Sequence, residues 1–247
     1  MLFHASIFAF AILFFGLLEC IVAIPSRFLM LAILSLAVLF RMSSRFGGSS
    51  TSAIVPTLFS LSTILLLFFV SSPKEKHLFI FLSSLVFYVG ILGIYRLRQY
   101  AGDMTAESML SLVAMTTLFF LFSAFYGIFL NFQRFTEGAL MVSYGFSAFL
   151  VGLSIFSRSF RGDREKPWLF SVLLALFSAQ IAWIGSFWPF SYLTAGVLSL
   201  MFLSPLWDMI QSEAIGTFSK KRLVFQIILI LLLGGMVLWS SEWLPVV

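Results

Sequence analysis

The sequence predicts an all-α protein, a polytopic bundle of about nine transmembrane helices. Hydrophobic residues make up 61% of the chain and charged residues 10%, and the mean hydropathy is +1.08. Apolar runs follow one another with only short polar breaks, and a helix needs roughly 20 apolar residues to cross about 30 Å of hydrocarbon. None of the breaks has the length of a folded domain, so we expect residues 1–247 to form a single integral membrane domain without a soluble domain.

The stretch from Pro167 to Ile210 shows this pattern most clearly. No Lys, Arg, Asp, Glu or His occurs between Pro167 and Trp207, and the only break is the turn-forming segment Ser186-Phe187-Trp188-Pro189. Two uncharged runs joined by such a turn predict a transmembrane hairpin.

Taken in order, the apolar runs predict nine helices, at 3–23, 27–41, 53–72, 77–96, 108–130, 138–157, 168–187, 190–210 and 222–242. The first helix resembles a secretory signal in length, but Met1 to Phe10 carry no Lys or Arg, so we interpret it as a retained span. The second run, between Arg27 and Arg41, is short for a span. If it is re-entrant, eight helices cross the membrane.

The basic residues predict the orientation, because loops rich in Lys and Arg stay in the cytoplasm. Eleven cations fall on one side: Arg41, Arg45, Arg96, Arg98, Arg158, Arg161, Arg164, Lys166, Lys220, Lys221 and Arg222. Four fall on the other: Arg27, Lys74, Lys76 and Arg134. The bias predicts a cytoplasmic N-terminus, with the Trp188 turn and the C-terminus outside.

The net charge of +5 has the same explanation, since these cations flank helices and meet anionic headgroups. We therefore expect the lipid bilayer and other membrane proteins as partners, and no nucleic acid. The topology predicts His4 at the inner end of the first helix and His77 at the outer end of the fourth, so the only two histidines cannot share one haem or metal ion. No metal site and no cofactor are expected.

Glu19 is the ionisable side chain that the prediction places within a membrane helix, and such residues are functional candidates. It lies close to the outer end of the first helix, so the simpler interpretation is an interfacial carboxylate that pairs with Arg27 or reaches water. The alternative is a proton or cation site, or the acid of an enzyme that acts at the outer face.

Gln180 lies near the middle of the seventh predicted helix, where its amide can hydrogen-bond a neighbouring helix. That structural role is favoured over a ligand contact, because buried polar groups are normally satisfied by their neighbours. Together with Glu19, Tyr126 and Tyr144, it is a candidate for the polar lining of a substrate site.

The basic loops on the predicted inner side suggest a second kind of site. Asp208 and Glu213 precede the last of these loops, so solvated ion pairs are the simpler interpretation, and binding of lipid headgroups is the alternative. The candidate headgroup-binding residues are Arg158, Arg161, Arg164, Lys220, Lys221 and Arg222.

The C-terminal quarter carries a resemblance to a known family. The features are Trp183 leading into Phe187-Trp188-Pro189-Phe190, the small-residue segment Leu193-Thr194-Ala195-Gly196, and the polar linker from Gly216 to Arg222. In these it resembles the C-terminal part of a family of uncharacterised bacterial polytopic membrane proteins, a domain of unknown function. The resemblance implies a bacterial inner membrane and no functional residue.

Three functions fit the sequence. The first is a non-catalytic accessory or scaffold subunit of a membrane assembly, because ionisable residues are rare in the predicted helices. The second is a small carrier or flippase for a lipidic or weakly polar substrate, and the third is an outer-face enzyme that uses Glu19 on a lipid-linked substrate. The sequence leans against an enzyme, because no second intramembrane acid is predicted and no nucleophile motif such as Gly-x-Ser-x-Gly occurs.

Overall fold

The computed structural model of the protein describes residues 2–100, 102–160, 165–188 and 190–216, and, further on, 221, 224–226, 228, 232, 234–236 and 239. The described elements are all helical, without a strand among them, which confirms the predicted all-α class. Two short 3-10 turns, Pro25–Arg27 and Thr51–Ala53, precede the second and third α-helices. The eight α-helices are α1 (Leu2–Ala23), α2 (Phe28–Gly47), α3 (Ile54–Leu67), α4 (Pro73–Gln99), α5 (Met104–Asn131), α6 (Glu137–Ser159), α7 (Glu165–Ser186) and α8 (Tyr192–Ile215).

Seven helical segments in the described part of the chain are long and apolar enough to cross a membrane, which fits a multi-pass integral membrane protein. They are Ala5–Ala23, Pro25–Gly47, Pro73–Gln99, Met104–Asn131, Glu137–Ser159, Glu165–Ser186 and Tyr192–Ala214. Nine spans are not confirmed. The third predicted helix is short, and the ninth, at 222–242, lies largely outside the described residues.

The chain divides into two compact units, residues 1–117 and 118–247, and the boundary falls within α5. In the first unit, ring and hydrogen-bond contacts fix the direction of each helix. The start of α2 meets the end of α3 through the rings of Phe28 and Phe68, whose centroids are 6.3 Å apart. The end of α4 meets the end of α2 through Arg98 and Arg45. The start of α1 meets the end of α2 through the rings of Phe10 and Phe46. Helices α1 and α3 therefore run in one direction, and α2 and α4 in the other.

The short helix of this unit is α3, not the second helix as the sequence predicts. Helix α2 continues six residues past Arg41 and has 20 residues, so it is long enough to cross a membrane. It ends at Gly47 and is capped by Gly48, whose φ of 73° is the left-handed conformation that favours glycine. The guanidinium of Arg98 then donates to the Arg45 carbonyl at 2.8 Å. Arg41 and Arg45 did not end the helix, because long cationic side chains can extend to the interface while their backbone stays helical.

Stacked phenylalanine rings fill the core of the first unit. The rings of Phe14 and Phe87 lie nearly parallel with centroids 4.3 Å apart, and Phe10 meets Phe87 at 5.3 Å. Phe59 of α3 packs against Phe14, and all four side chains are buried. These contacts join α1, α3 and α4.

In the second unit, α6 and α7 pack closely along small residues. A Cβ on Gly145 would come within 3.1 Å of the Ala175 carbonyl oxygen, and one on Gly152 within 3.2 Å of the Ser171 hydroxyl. Small side chains at this contact let the two backbones approach, which matters where lipid removes the hydrophobic drive for association.

Helix α8 contains Pro205 and still continues to Ile215, five residues beyond its predicted end. Proline has no N–H, so the carbonyl four residues earlier, that of Met201, loses its helical partner. The hydroxyl of Ser204 donates to this same Met201 carbonyl at 3.1 Å. The neighbouring serine thus donates a hydrogen bond to the carbonyl that the proline cannot reach, and the helix continues.

Candidate functional site

Glu19 is paired with a histidine that lies 58 positions later in the chain. Its Oε1 atom is 2.9 Å from Nδ1 of His77, near the beginning of α4. The predicted partner, Arg27, is therefore not the one that the structure shows. An imidazole that binds a carboxylate through one ring nitrogen is held in a defined orientation, and the pair joins the end of α1 to the start of α4.

Tyr126 is fully buried in the second unit and binds the end of α7. Its hydroxyl is 2.6 Å from the Trp188 carbonyl oxygen and 3.1 Å from that of Gly185. The Gly185 carbonyl, in the last turn of α7, also accepts from the Trp188 N–H, and the Trp188 carbonyl, in the turn after it, accepts from the Phe190 N–H, so the Tyr126 hydroxyl adds a side-chain donor to both. Tyr126 thus fixes the turn between α7 and α8.

Tyr144 of α6 is equally buried, and its hydroxyl lies 2.9 Å from the Ser199 hydroxyl of α8. The rings of both tyrosines contact Phe122, which lies between them. Tyr144 therefore links two helices by a hydrogen bond between side chains.

We expect the Tyr144–Ser199 hydrogen bond to contribute about 1 kcal/mol, within the range measured for such bonds between membrane helices. A double-mutant cycle with Tyr144→Phe and Ser199→Ala, followed by equilibrium unfolding in mixed micelles, measures this coupling. Ser171→Ala is the control partner, since the Ser171 hydroxyl donates within its own helix to Pro167. Equal coupling of Tyr144→Phe to Ser171→Ala and to Ser199→Ala would contradict the assignment.

Between α5, α7 and α8 lies a cavity of about 250 Å³. Its walls are mostly apolar, and Trp188 lies at the α7–α8 turn that borders it. Residues on the wall include Phe122, Phe177, Ile181, Ile184, Leu198, Ser199 and Phe202. Cavities that are mainly apolar and carry a few polar groups are the usual form of small-molecule sites.

Gln180 lines this cavity from an exposed position on α7. No hydrogen bond joins its amide to another described residue. The interhelical bond favoured by the sequence interpretation is thus not formed within the described part of the chain. An amide without a partner is costly in hydrocarbon, so this group favours an environment that offers a donor or an acceptor.

The four candidate lining residues play different parts. Glu19 belongs to the first unit, and Gln180, Tyr126 and Tyr144 belong to the second. Around the cavity, Gln180 contributes to the surface, while the tyrosines lie behind it and bind Trp188, Gly185 and Ser199. The tyrosines therefore support the wall of the cavity.

Two of the candidate headgroup-binding cations are described. Arg158 is half-buried in the last turn of α6, and Lys221 is exposed. Arg161, Arg164, Lys220 and Arg222 lie outside the described residues.

Asp208 has a partner that the sequence interpretation missed, because that interpretation paired the acid with the cations of the following loop. The carboxylate accepts a hydrogen bond from the Gln226 amide. The helix continues past Asp208 to Ile215, so the acid lies within it. In the sequence, this contact was indicated by nothing more than the polarity of Asp208 and Gln226.

Among the described residues, no group of three His, Cys, Asp or Glu side chains is placed to hold a metal ion. In comparisons with protein-family models, with curated proteins and with solved structures, the chain matches none of them.

Proposed function

We propose that the protein is a non-catalytic integral membrane protein that binds a lipidic or weakly polar molecule in the cavity of its second unit, as a small lipid carrier does. The observation that carries this proposal is the apolar cavity of about 250 Å³ with Gln180 on its surface. An apolar chain would occupy the cavity, and a carbonyl or hydroxyl group of the ligand would hydrogen-bond the Gln180 amide.

The position of the cavity along the helices supports a lipidic ligand. On α7 its wall extends from Phe177 to Gly185, a distance of roughly 12 Å at 1.5 Å per helical residue, which is somewhat less than half of a hydrocarbon core of about 30 Å. With the Trp188 turn outside, as the loop charges predict, the cavity would face the outer leaflet of a bacterial inner membrane.

The exposed face of α7 favours a second function, that of an accessory subunit. The exposed face of α7 carries Trp168, Leu176 and Trp183 in addition to Gln180. A helix of a partner protein that covers this face would provide the hydrogen bond that the amide lacks. A strictly monomeric protein without a partner in gentle detergent would contradict this role and leave the carrier proposal standing.

Ile184→Trp is expected to fill the cavity and exclude its ligand, because Ile184 is part of the wall. A fatty acid with a photoreactive diazirine on its chain serves as the probe in native membranes, and mass spectrometry locates the labelled peptides. We expect strong labelling of the α7 and α8 peptides in the unmodified protein. In the variant, labelling should fall roughly tenfold, the effect of removing a few methylene contacts in a pocket.

Leu173→Trp is the matched control. Leu173 is on the same helix and 46% exposed, compared with 47% for Ile184, but it does not line the cavity. If the two variants lose labelling equally, or if the label spreads evenly over all exposed helices, the probe reports general contact with lipid and the carrier proposal fails.

A further inference from the structure

A groove of about 440 Å³ runs between α1 and α4 in the first unit, separate from the cavity described above. Its walls are bulky apolar side chains, among them Ile12 and Phe15 of α1 and Phe81 and Leu85 of α4. Its floor contains Ala11 and Ser84, whose small side chains leave space between the walls.

The floor offers no free hydrogen-bond donor to a ligand. The only polar floor residue, Ser84, donates its hydroxyl proton to the Ile80 carbonyl at 2.8 Å, within its own helix. An occupant of this groove therefore needs an apolar surface, such as a hydrocarbon chain.

Both ends of the groove are marked by contacts between the two helices. At one end, the rings of Phe8 and Tyr88 meet edge to face with centroids 6.3 Å apart. At the other end, beyond Phe15 and Phe81 by one helical turn, lies the pair of Glu19 and His77. The groove is thus lined mainly by apolar side chains, with the Tyr88 phenol at one end and the pair of Glu19 and His77 beyond the other.

The distance between these ends matches one leaflet of a bilayer. Eleven residues separate Phe8 from Glu19, and eleven separate His77 from Tyr88. At 1.5 Å per residue this corresponds to roughly 16 Å, about half of a 30 Å hydrocarbon core. An acyl chain of a lipid in that leaflet would lie in the groove with its headgroup beside Glu19.

The Glu19 carboxylate determines which headgroup fits. Its Oε1 atom binds His77, and no described residue binds its Oε2 atom. A carboxylate oxygen accepts hydrogen bonds and attracts a cation, so it is complementary to a primary ammonium group. A quaternary ammonium has no proton to donate, and an anionic glycerol headgroup has no positive charge.

We propose that the α1–α4 groove is a binding site for one phospholipid with a primary amine in its headgroup. One acyl chain lies between Ile12 and Leu85, and the ammonium group donates to the Glu19 carboxylate, which His77 holds in place. This site lies in the first unit and does not depend on the ligand of the second unit.

The test uses native mass spectrometry of the full-length protein, purified in detergent and mixed with three lipids of identical acyl chains. These are phosphatidylethanolamine, phosphatidylcholine and phosphatidylglycerol. We expect one phosphatidylethanolamine to remain bound under conditions that remove the other two. Glu19→Gln should abolish this preference and leave equal, weaker retention of all three, because the amide lacks the negative charge.

Leu85→Trp fills the groove and should lower retention of phosphatidylethanolamine roughly tenfold or more. Leu82→Trp is its matched control, since Leu82 is on the same helix, 50% exposed against 49% for Leu85, and outside the groove. Equal retention by the two variants, or no preference among lipids in the unmodified protein, would show ordinary annular lipid and overturn the proposal. Ile184→Trp should leave retention unchanged, so this result is independent of the carrier function.

Discussion

Phe87→Ala is expected to destabilise the first unit by about 3 kcal/mol, at the low end of the range for truncating a buried phenylalanine. The ring is buried and contacts both Phe10 and Phe14, so its removal opens a cavity where α1 and α4 pack together. We expect the low end of this range because, in a membrane, lipid surrounds the helices when they separate. The substitution then removes packing contacts more than it removes hydrophobic burial. Equilibrium unfolding of the purified protein in mixed micelles measures the change.

Leu82→Ala provides the control on the same helix. Its side chain is exposed, so truncation should change the free energy of unfolding by less than about 0.5 kcal/mol. If Phe87→Ala were as mild as Leu82→Ala, the aromatic cluster would not be the core of this unit.

Gly196→Ala is expected to destabilise the second unit by about 1–3 kcal/mol, the usual cost of adding a group to a filled core. A Cβ at this position would overlap the Ser123 hydroxyl and lie 2.9 Å from the Phe119 ring. The Ser123 and Phe119 side chains would have to shift, or α5 and α8 move apart, to accommodate the methyl group. The same unfolding measurement detects the change.

A second substitution tests the cause of this effect. Removing the hydroxyl with Ser123→Ala, in the background of Gly196→Ala, should restore part of the lost stability. The Ser123 hydroxyl is buried without a partner among the described residues, so its removal breaks no hydrogen bond that the structure describes. Gly138→Ala is the control, because the nearest atom to a Cβ at this position is 3.9 Å away. We expect this substitution to be neutral or to stabilise the protein by up to about 1 kcal/mol. If Ser123→Ala restores no stability in the Gly196→Ala background, the overlap with the Ser123 hydroxyl is not the cause of the destabilisation.

The helix lengths show where sequence interpretation reached its limit. Charges marked the ends of apolar runs, yet α2 continued past Arg41 to Gly47, and α8 continued five residues past its predicted end at residue 210, through Glu213, to Ile215. A single charged residue close to a helix end can reach the interface or find a partner, so it is a weak stop signal. The glycines Gly48 and Gly216, both with φ above 70°, were the effective ends.

The candidate site residues show the same limit. The sequence identified Glu19 as an unusual acid close to the outer end of its helix, and it placed His77 at an outer end as well. It did not pair them, because a contact across 58 residues depends on how α1 and α4 pack. Tyr126 and Tyr144 were equally good polar candidates by sequence, and only their burial and hydrogen bonds showed that they support a wall.

The sequence by itself determined the class of this protein, all-helical and of membrane type, because long uncharged runs admit hardly any other structure in which every backbone group is satisfied. Only the tertiary structure decided which polar groups meet, which are enclosed and where open spaces remain. The physical reason is that hydropathy is a property of each segment, while the cavity of the second unit and the groove between α1 and α4 arise from packing between segments. In lipid that packing is set by the shapes and hydrogen bonds of side chains, which no one-dimensional pattern contains.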